Sequence, residues 1–152
     1  MADRSNAIDV LEDLVQTCKD GEDGYLHAAS QTADPELQQF FRDQSIERGR
    51  FAVQLKQLIK ELGAEPPAIT GTFTATLHRA WFELKGDLGG GDQSLLNSVE
   101  RGEDAAKQTY EQALSVGLPS NAAVTVRLQA ERVIAAHDQV RNLRDLGKER
   151  AA

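Results

Sequence analysis

Apolar residues recur at steps of three and four along most of this chain, and this spacing is typical of one face of an α-helix. Four long stripes of this kind predict four long helices, and each stripe contains an ionisable residue near its middle. In chain order the stripes are Ile8, Leu11, Val15, Cys18, Glu22, Tyr25 and Ala29; Leu37, Phe40, Gln44, Glu47, Phe51, Leu55, Leu58 and Leu62; Leu95, Val99, Glu103, Ala106, Tyr110 and Ala113; and Val126, Ala130, Val133, His137, Val140 and Arg144.

Capping and helix-breaking residues set the expected helix ends. Ser5 is a good N-cap for the first helix, and Asp34 followed by Pro35 is a typical start for the second. Gly63 is expected to end the second long helix, and Gly117 is expected to end the third. Asp92 is expected to cap the third helix, and the last helix is expected to run from near Pro119 to about residue 147.

The connections between the helices predict the topology. Short turns join the first helix to the second and the third to the fourth, so each pair should form an antiparallel hairpin. A long crossover, about residues 64–91, separates the hairpins and lets the third helix start at the same end as the second. The predicted fold is therefore all-α: one domain over residues 1–152, a ferritin-like four-helix bundle with two antiparallel hairpins and a long crossover.

The crossover carries an apolar face of its own, which predicts a short fifth helix from about residue 70 to residue 85. Phe73, Leu77 and Trp81 share this face. It has two interpretations, packing on the parent bundle or forming an interface with another subunit, and both can hold together.

Composition narrows the classes of function. The 152 residues carry a net charge of −7, which argues against a general nucleic-acid binder because phosphate contacts need an excess of Lys and Arg. The single cysteine, Cys18, excludes an intramolecular disulfide framework and a zinc site built from several cysteines. Because Cys18 falls in an apolar stripe, a small core residue is the favoured interpretation and a redox role is the alternative.

The sequence predicts a protein that neither spans nor binds a membrane. No stretch approaches the roughly 18 apolar residues needed to cross a bilayer, and the first residues lack the pattern of a signal peptide. We therefore expect a cytoplasmic location.

The ionisable residues within the stripes are the informative anomaly. Glu22, Glu47, Glu103 and His137 occupy positions where apolar side chains are expected, and their heights, counted from the turns, spread over roughly 12 Å along the bundle axis. They could therefore form one layer, to which Tyr25 and Tyr110 could donate hydrogen bonds.

Buried carboxylates need compensation, so something should neutralise this layer. A metal could bind the carboxylates and the imidazole. Ion pairs with the neighbouring Arg48, Arg50 or Arg101, or included water, are the second explanation, and the favoured one. The third is that one or more of the four residues lie on a different helix face.

Several local strings give the chain a resemblance to a small family of bacterial four-helix-bundle proteins of unknown function within the ferritin-like superfamily. The resemblance covers about residues 5–147, and it implies the fold and a stress-linked bacterial setting without an established reaction. The strings are Asp20-Gly21-Glu22-Asp23-Gly24-Tyr25, Glu47-Arg48-Gly49-Arg50-Phe51, Leu77-His78-Arg79-Ala80-Trp81, Glu100-Arg101-Gly102-Glu103 and Ala136-His137-Asp138.

The wider superfamily includes di-iron carboxylate proteins, whose pattern is one Glu from each of two helices and Glu-x-x-His from each of the other two. By this resemblance Glu22, Glu47 and Glu103 match the ligands. Arg50, however, stands where the first His would be, and Ile134 stands where the second motif would have its Glu. A mononuclear site, a poor site and a relic in which the charge of Arg50 replaces the metal all remain open, and the relic is favoured.

Two classes of function follow from this pattern. The favoured hypothesis is a non-enzymatic, stress-associated module that acts by homo-oligomer assembly or by binding a protein partner, with no cofactor. The alternative is an iron- or manganese-binding carboxylate protein with oxidase or storage activity, using Glu22, Glu47, Glu103 and His137 as ligands.

Overall fold

The protein is described here from a computed structural model, which covers residues 3–66, Trp81 and residues 91–151. Four α-helices form these parts: α1 spans Arg4–Ser30, α2 spans Pro35–Glu61, α3 spans Gly91–Leu114 and α4 spans Ser120–Ala151. The predicted all-α bundle of four long helices is confirmed. The predicted fifth helix, with Phe73 and Leu77, lies outside the described residues.

Most helix ends lie where capping chemistry places them. The Asp34 carboxylate accepts hydrogen bonds from the first backbone amides of α2, and Pro35 is the first helical residue. Gly63 and Gly117 follow α2 and α3 with φ of 86° and 79°, a conformation that favours glycine. The cap of α1 differs from the prediction: Asp3, not Ser5, accepts from the Asn6 amide at 2.8 Å, so the helix begins earlier.

The helices pack as two antiparallel hairpins, α1 with α2 and α3 with α4, and α1 also lies beside α3 while α2 lies beside α4. At one end of the bundle, Arg4 at the start of α1 donates to the carbonyl of Leu62, just past the end of α2. At the other end, a cavity of about 320 Å³ is lined by Asp34 and Asp92, which belong to the starts of α2 and α3. The two helices therefore start at the same end, as the crossover prediction requires.

The apolar stripes form a continuous core, but the prediction was wrong about part of the face of α2. Leu37 is buried as predicted, whereas the next buried positions are Phe41, Ser45 and Arg48, each one residue after the predicted Phe40, Gln44 and Glu47. One position rotates a helix face by about 100°, enough to exchange boundary and interior positions. In the second half of α2 the predicted Phe51, Leu55 and Leu58 are buried, together with Ala52 and Ile59.

None of the helices in the described ranges combines the length and the apolar character that crossing a membrane requires.

Candidate functional site

An ion pair crosses the middle of the bundle. Arg48 of α2 and Glu103 of α3 are 1% and 0% exposed, and the Arg48 Nη2 donates to Glu103 Oε2 at 2.5 Å. Because α2 and α3 lie diagonally opposite each other, this pair links two helices that are not packing neighbours. A buried charge is tolerated only when it is paired, so the two residues depend on each other.

Arg48 reaches this position because its surroundings leave room for it. The guanidinium carbon lies 5.5 Å from the centroid of the Tyr25 ring, within the range of a cation–π contact. One helical turn before Tyr25 is Gly21, where an added Cβ would lie 3.0 Å from Arg48 Nη1. A side chain at position 21 would therefore press on the guanidinium.

The electrostatics of the cluster follow from burial and from the pair itself. Burial acts to lower the pKa of Arg48, but the Glu103 carboxylate, together with the Tyr25 and Cys18 side chains, outweighs it and holds that pKa above its ordinary value. Burial, followed by the charge of Glu103, raises the pKa of Tyr25 well above its ordinary value. Arg48 is therefore a permanent cation in this core, and Tyr25 stays neutral.

Trp81, the chain's single tryptophan, packs against Tyr25 beside this pair. Its side chain is buried between α1 and α3, and its ring centroid lies 5.3 Å from that of Tyr25. Gly24 of α1 and Gly102 of α3 form the packing site of the indole, which we call the seat of Trp81, since a Cβ added to either residue would overlap the ring. Of the three interface candidates, Trp81 thus packs on its own bundle, while Phe73 and Leu77 lie outside the described residues.

A second buried polar chain runs next to the ion pair. The Tyr110 hydroxyl lies 2.9 Å from the Cys18 sulfur and donates to the Gln129 side-chain oxygen at 2.8 Å. The Gln129 amide in turn donates to the Phe51 carbonyl and to the Gln54 side chain. The chain connects α1, α3, α4 and α2 in that order, so it fixes the helices against one another.

We expect the Cys18 thiol to be inert in the folded protein. It is 0% exposed, and burial raises its pKa to about 11. A thiol reagent at pH 8 should therefore modify Cys18 only after denaturation, and absorbance or mass spectrometry would measure this. Because the folded-state pKa is raised, the thiol stabilises the fold below its ordinary value of 9.0 and loses that contribution as the pH rises toward 11. Rapid modification of the native protein would contradict this placement.

The four predicted metal ligands do not converge. Glu103 pairs with Arg48 in the core, whereas the Glu22 side chain is 30% exposed and accepts from Lys19 at 2.7 Å. Glu47 binds Arg132 at 2.7 Å on the α2–α4 face. Each of these carboxylates therefore has a cation of its own.

His137 lies in a separate contact between α3 and α4. One ring nitrogen is 2.5 Å from the Asp104 carboxylate and the other is 3.0 Å from the Asp138 carboxylate. The hydrogen bond from His137 holds the pKa of Asp138 below its ordinary value. The imidazole is thus engaged on both sides by residues other than the three glutamates.

Arg50, predicted as part of the core network, is exposed. The physical reason is the helix phase described above, which turns Arg48 inward and Arg50, two residues later, toward solvent. The cation inside the bundle is therefore Arg48. Of the proposed core tyrosines, Tyr25 contacts the ion pair and Tyr110 belongs to the neighbouring chain with Cys18.

These residues do not fit the metal centre that the resemblance implies. Across residues 3–66 and 91–149, no three His, Cys, Asp or Glu side chains are placed together as a metal site would require. The one carboxylate at the centre of the core already faces a permanent cation, whose charge would repel a metal ion.

Sequence reasoning did not identify the residues that make room for the cluster. Gly21, Gly24 and Gly102 lie inside helices, where glycine is unfavourable unless packing requires it. That unusual placement was the available signal, and it indicates close approach by large side chains.

Comparison with known proteins gives a family but assigns no activity. No curated protein matches the chain. The model of one protein family matches residues 6–116, which include α1 except for its first two residues, α2, the crossover and α3. The chain therefore belongs to the family described as a domain of unknown function (DUF2383).

Proposed function

We propose that this protein is a non-enzymatic, ferritin-like helical module that acts by self-assembly or by binding a protein partner, with an arginine in place of a metal. The observation that carries the proposal is the Arg48–Glu103 pair at 2.5 Å in the centre of the core. A fixed guanidinium neutralises the central carboxylate without a metal and offers no group that titrates near neutral pH.

The surface supports the proposed self-assembly or binding of a protein partner. α2 and α4 expose apolar side chains that a purely solvated face would not need, and these helices are joined by the polar contacts Glu47–Arg132 and Gln54–Gln129. Apolar side chains that remain in solvent favour association when a partner surface can cover them. The residues are Ile46, Val53, Val124 and Leu128, which are 53–66% exposed. The setting in a bacterial stress response follows from the resemblance and is part of the same proposal.

Elemental analysis tests the proposal that Arg48 takes the place of a metal. The purified protein is loaded with Fe(II) or Mn(II), passed over a desalting column and analysed for bound metal. We expect far less than one metal per chain. Near-stoichiometric metal that falls in Glu22→Gln and Glu47→Gln, but not in the matched surface variant Glu36→Gln, would overturn the proposal in favour of the metal-binding alternative.

The mass of the protein in solution tests whether it assembles with itself or with a partner. Analytical ultracentrifugation should detect association that weakens when Val53→Glu and Leu128→Glu place charges on the α2–α4 face. The matched control, Gln57→Glu, changes an exposed polar residue of the same helix. A monomer at all concentrations, with no partner recovered by pull-down, would contradict this part of the proposal.

A further inference from the structure

The cluster around Arg48 contains more hydrogen-bonding capacity than its own side chains use. Five polar atoms there are buried and make no hydrogen bond of normal geometry among the described residues, although the Tyr25 hydroxyl is near enough to Glu103 for that carboxylate to add to the effect of burial in raising its pKa. They belong to side chains that are at most 3% exposed. The atoms are Arg48 Nε, Arg48 Nη1, Glu103 Oε1, Tyr25 Oη and Trp81 Nε1.

These atoms belong to one place in the core. Arg48 is bonded to Glu103 at 2.5 Å and lies over the Tyr25 ring, which in turn contacts the Trp81 ring. The indole carbon next to Trp81 Nε1 is the atom nearest to a Cβ added at Gly102, the residue before Glu103. The unpartnered atoms therefore belong to the ion pair itself and to two aromatic side chains packed in sequence beside it.

From this geometry we propose that the ion pair is the wall of a binding site for ordered water. The cluster offers four donors: the two Arg48 nitrogens, the Trp81 nitrogen and the Tyr25 hydroxyl. Its acceptors are the free oxygen of Glu103 and the oxygen of Tyr25. These donors carry five hydrogens, whereas the two oxygens have about four lone pairs between them, so pairing within the cluster leaves at least one N–H group unsatisfied and an outside acceptor is needed.

Charge selects water over an anion. Arg48 and Glu103 cancel, so an added anion would be a buried charge without a counter-ion. Water is neutral, accepts and donates, and is the usual partner of buried polar groups that the chain itself does not satisfy. The site therefore takes a small neutral molecule that accepts at Arg48 and Trp81 and donates to Glu103.

Removing one hydroxyl tests the proposal without disturbing the packing. If water bridges Tyr25, the Tyr25→Phe variant breaks that bridge, and the equilibrium constant for unfolding should rise about tenfold, similar to the loss of one ordinary hydrogen bond. A direct bond from Tyr25 to Glu103 would give the same loss, so this rise supports the proposal only together with the water density measured below. Tyr110→Phe, which removes a hydroxyl with protein partners, sets the scale for a known loss. An unchanged or lower unfolding constant in Tyr25→Phe would overturn the proposal, because it would mean that the hydroxyl has no partner to lose.

A high-resolution crystal structure provides the direct measurement. We expect water density within hydrogen-bonding distance of Glu103 Oε1 and Arg48 Nε, and no anomalous peak at this site after a bromide soak. Direct bonds from Trp81 Nε1 and Tyr25 Oη to Glu103 with no water between them would overturn the proposal, and so would a bound bromide.

Discussion

Replacing Glu103 with leucine should cost about 3–5 kcal/mol of folding free energy, because it leaves the Arg48 guanidinium buried without its counter-charge. Replacing Arg48 with methionine should cost less, since the remaining carboxylate can take up a proton whereas an arginine cannot lose one. The double variant should recover most of the loss, because apolar side chains of similar size suit this interior. Guanidinium chloride denaturation of the two single variants and the double variant measures all three values.

A surface pair provides the matched control for this cycle. Arg132 and Glu47 also join two helices, but the Arg132 side chain is 66% exposed. Arg132→Met should change the free energy of unfolding far less than either core variant, because solvent screens exposed pairs. Equal effects of the core and surface substitutions, or a double core variant no more stable than Glu103→Leu, would show that the central pair is not a coupled unit.

The second large effect is expected at Trp81. Trp81→Ala should cost about 3–5 kcal/mol, the range for deleting a buried aromatic side chain. Gly24→Ala should also destabilise the fold, by about 1–3 kcal/mol, because its Cβ would overlap the indole. This sign is diagnostic, since the same change at an unobstructed helix position usually stabilises by about 1 kcal/mol.

Combining the two substitutions isolates the contact. In the Trp81→Ala background the obstacle is gone, so Gly24→Ala should become neutral or stabilising. Gly49→Ala is the control, because its Cβ would meet only the flexible end of Glu22. Denaturation curves give the energies, and emission from the single tryptophan reports whether the indole of Gly24→Ala has moved into water. An additive double variant would contradict the seat described here.

Periodicity was sufficient to predict the helices, because a four-helix bundle repeats one physical rule along the whole chain. It also predicted the faces of α3 and α4, where Glu103 and His137 are buried as their stripes require. The face of α2 was harder to predict. Phe40 and Phe41 are adjacent and both apolar, so the sequence alone did not determine which one points inward.

The arrangement of the site could not be derived from the same rule. A stripe shows that a residue faces the core but not which residue of another helix it meets. The sequence therefore indicates Arg48, Arg50 and Arg101 as possible partners of the buried carboxylates. The seat of Trp81 depends on two glycines from different helices, a relation that no single periodicity contains. The sequence shows that glycines lie inside the helices, but which side chains approach them depends on tertiary packing.

The seat between α1 and α3 also constrains how this sequence can diverge. Enlarging residue 24 or residue 102 is tolerable only if the residue at position 81 shrinks, so substitutions at these three sites should occur together in related chains. A lineage that keeps the tryptophan is therefore restricted to the smallest residue at both facing positions, whatever its surface comes to recognise.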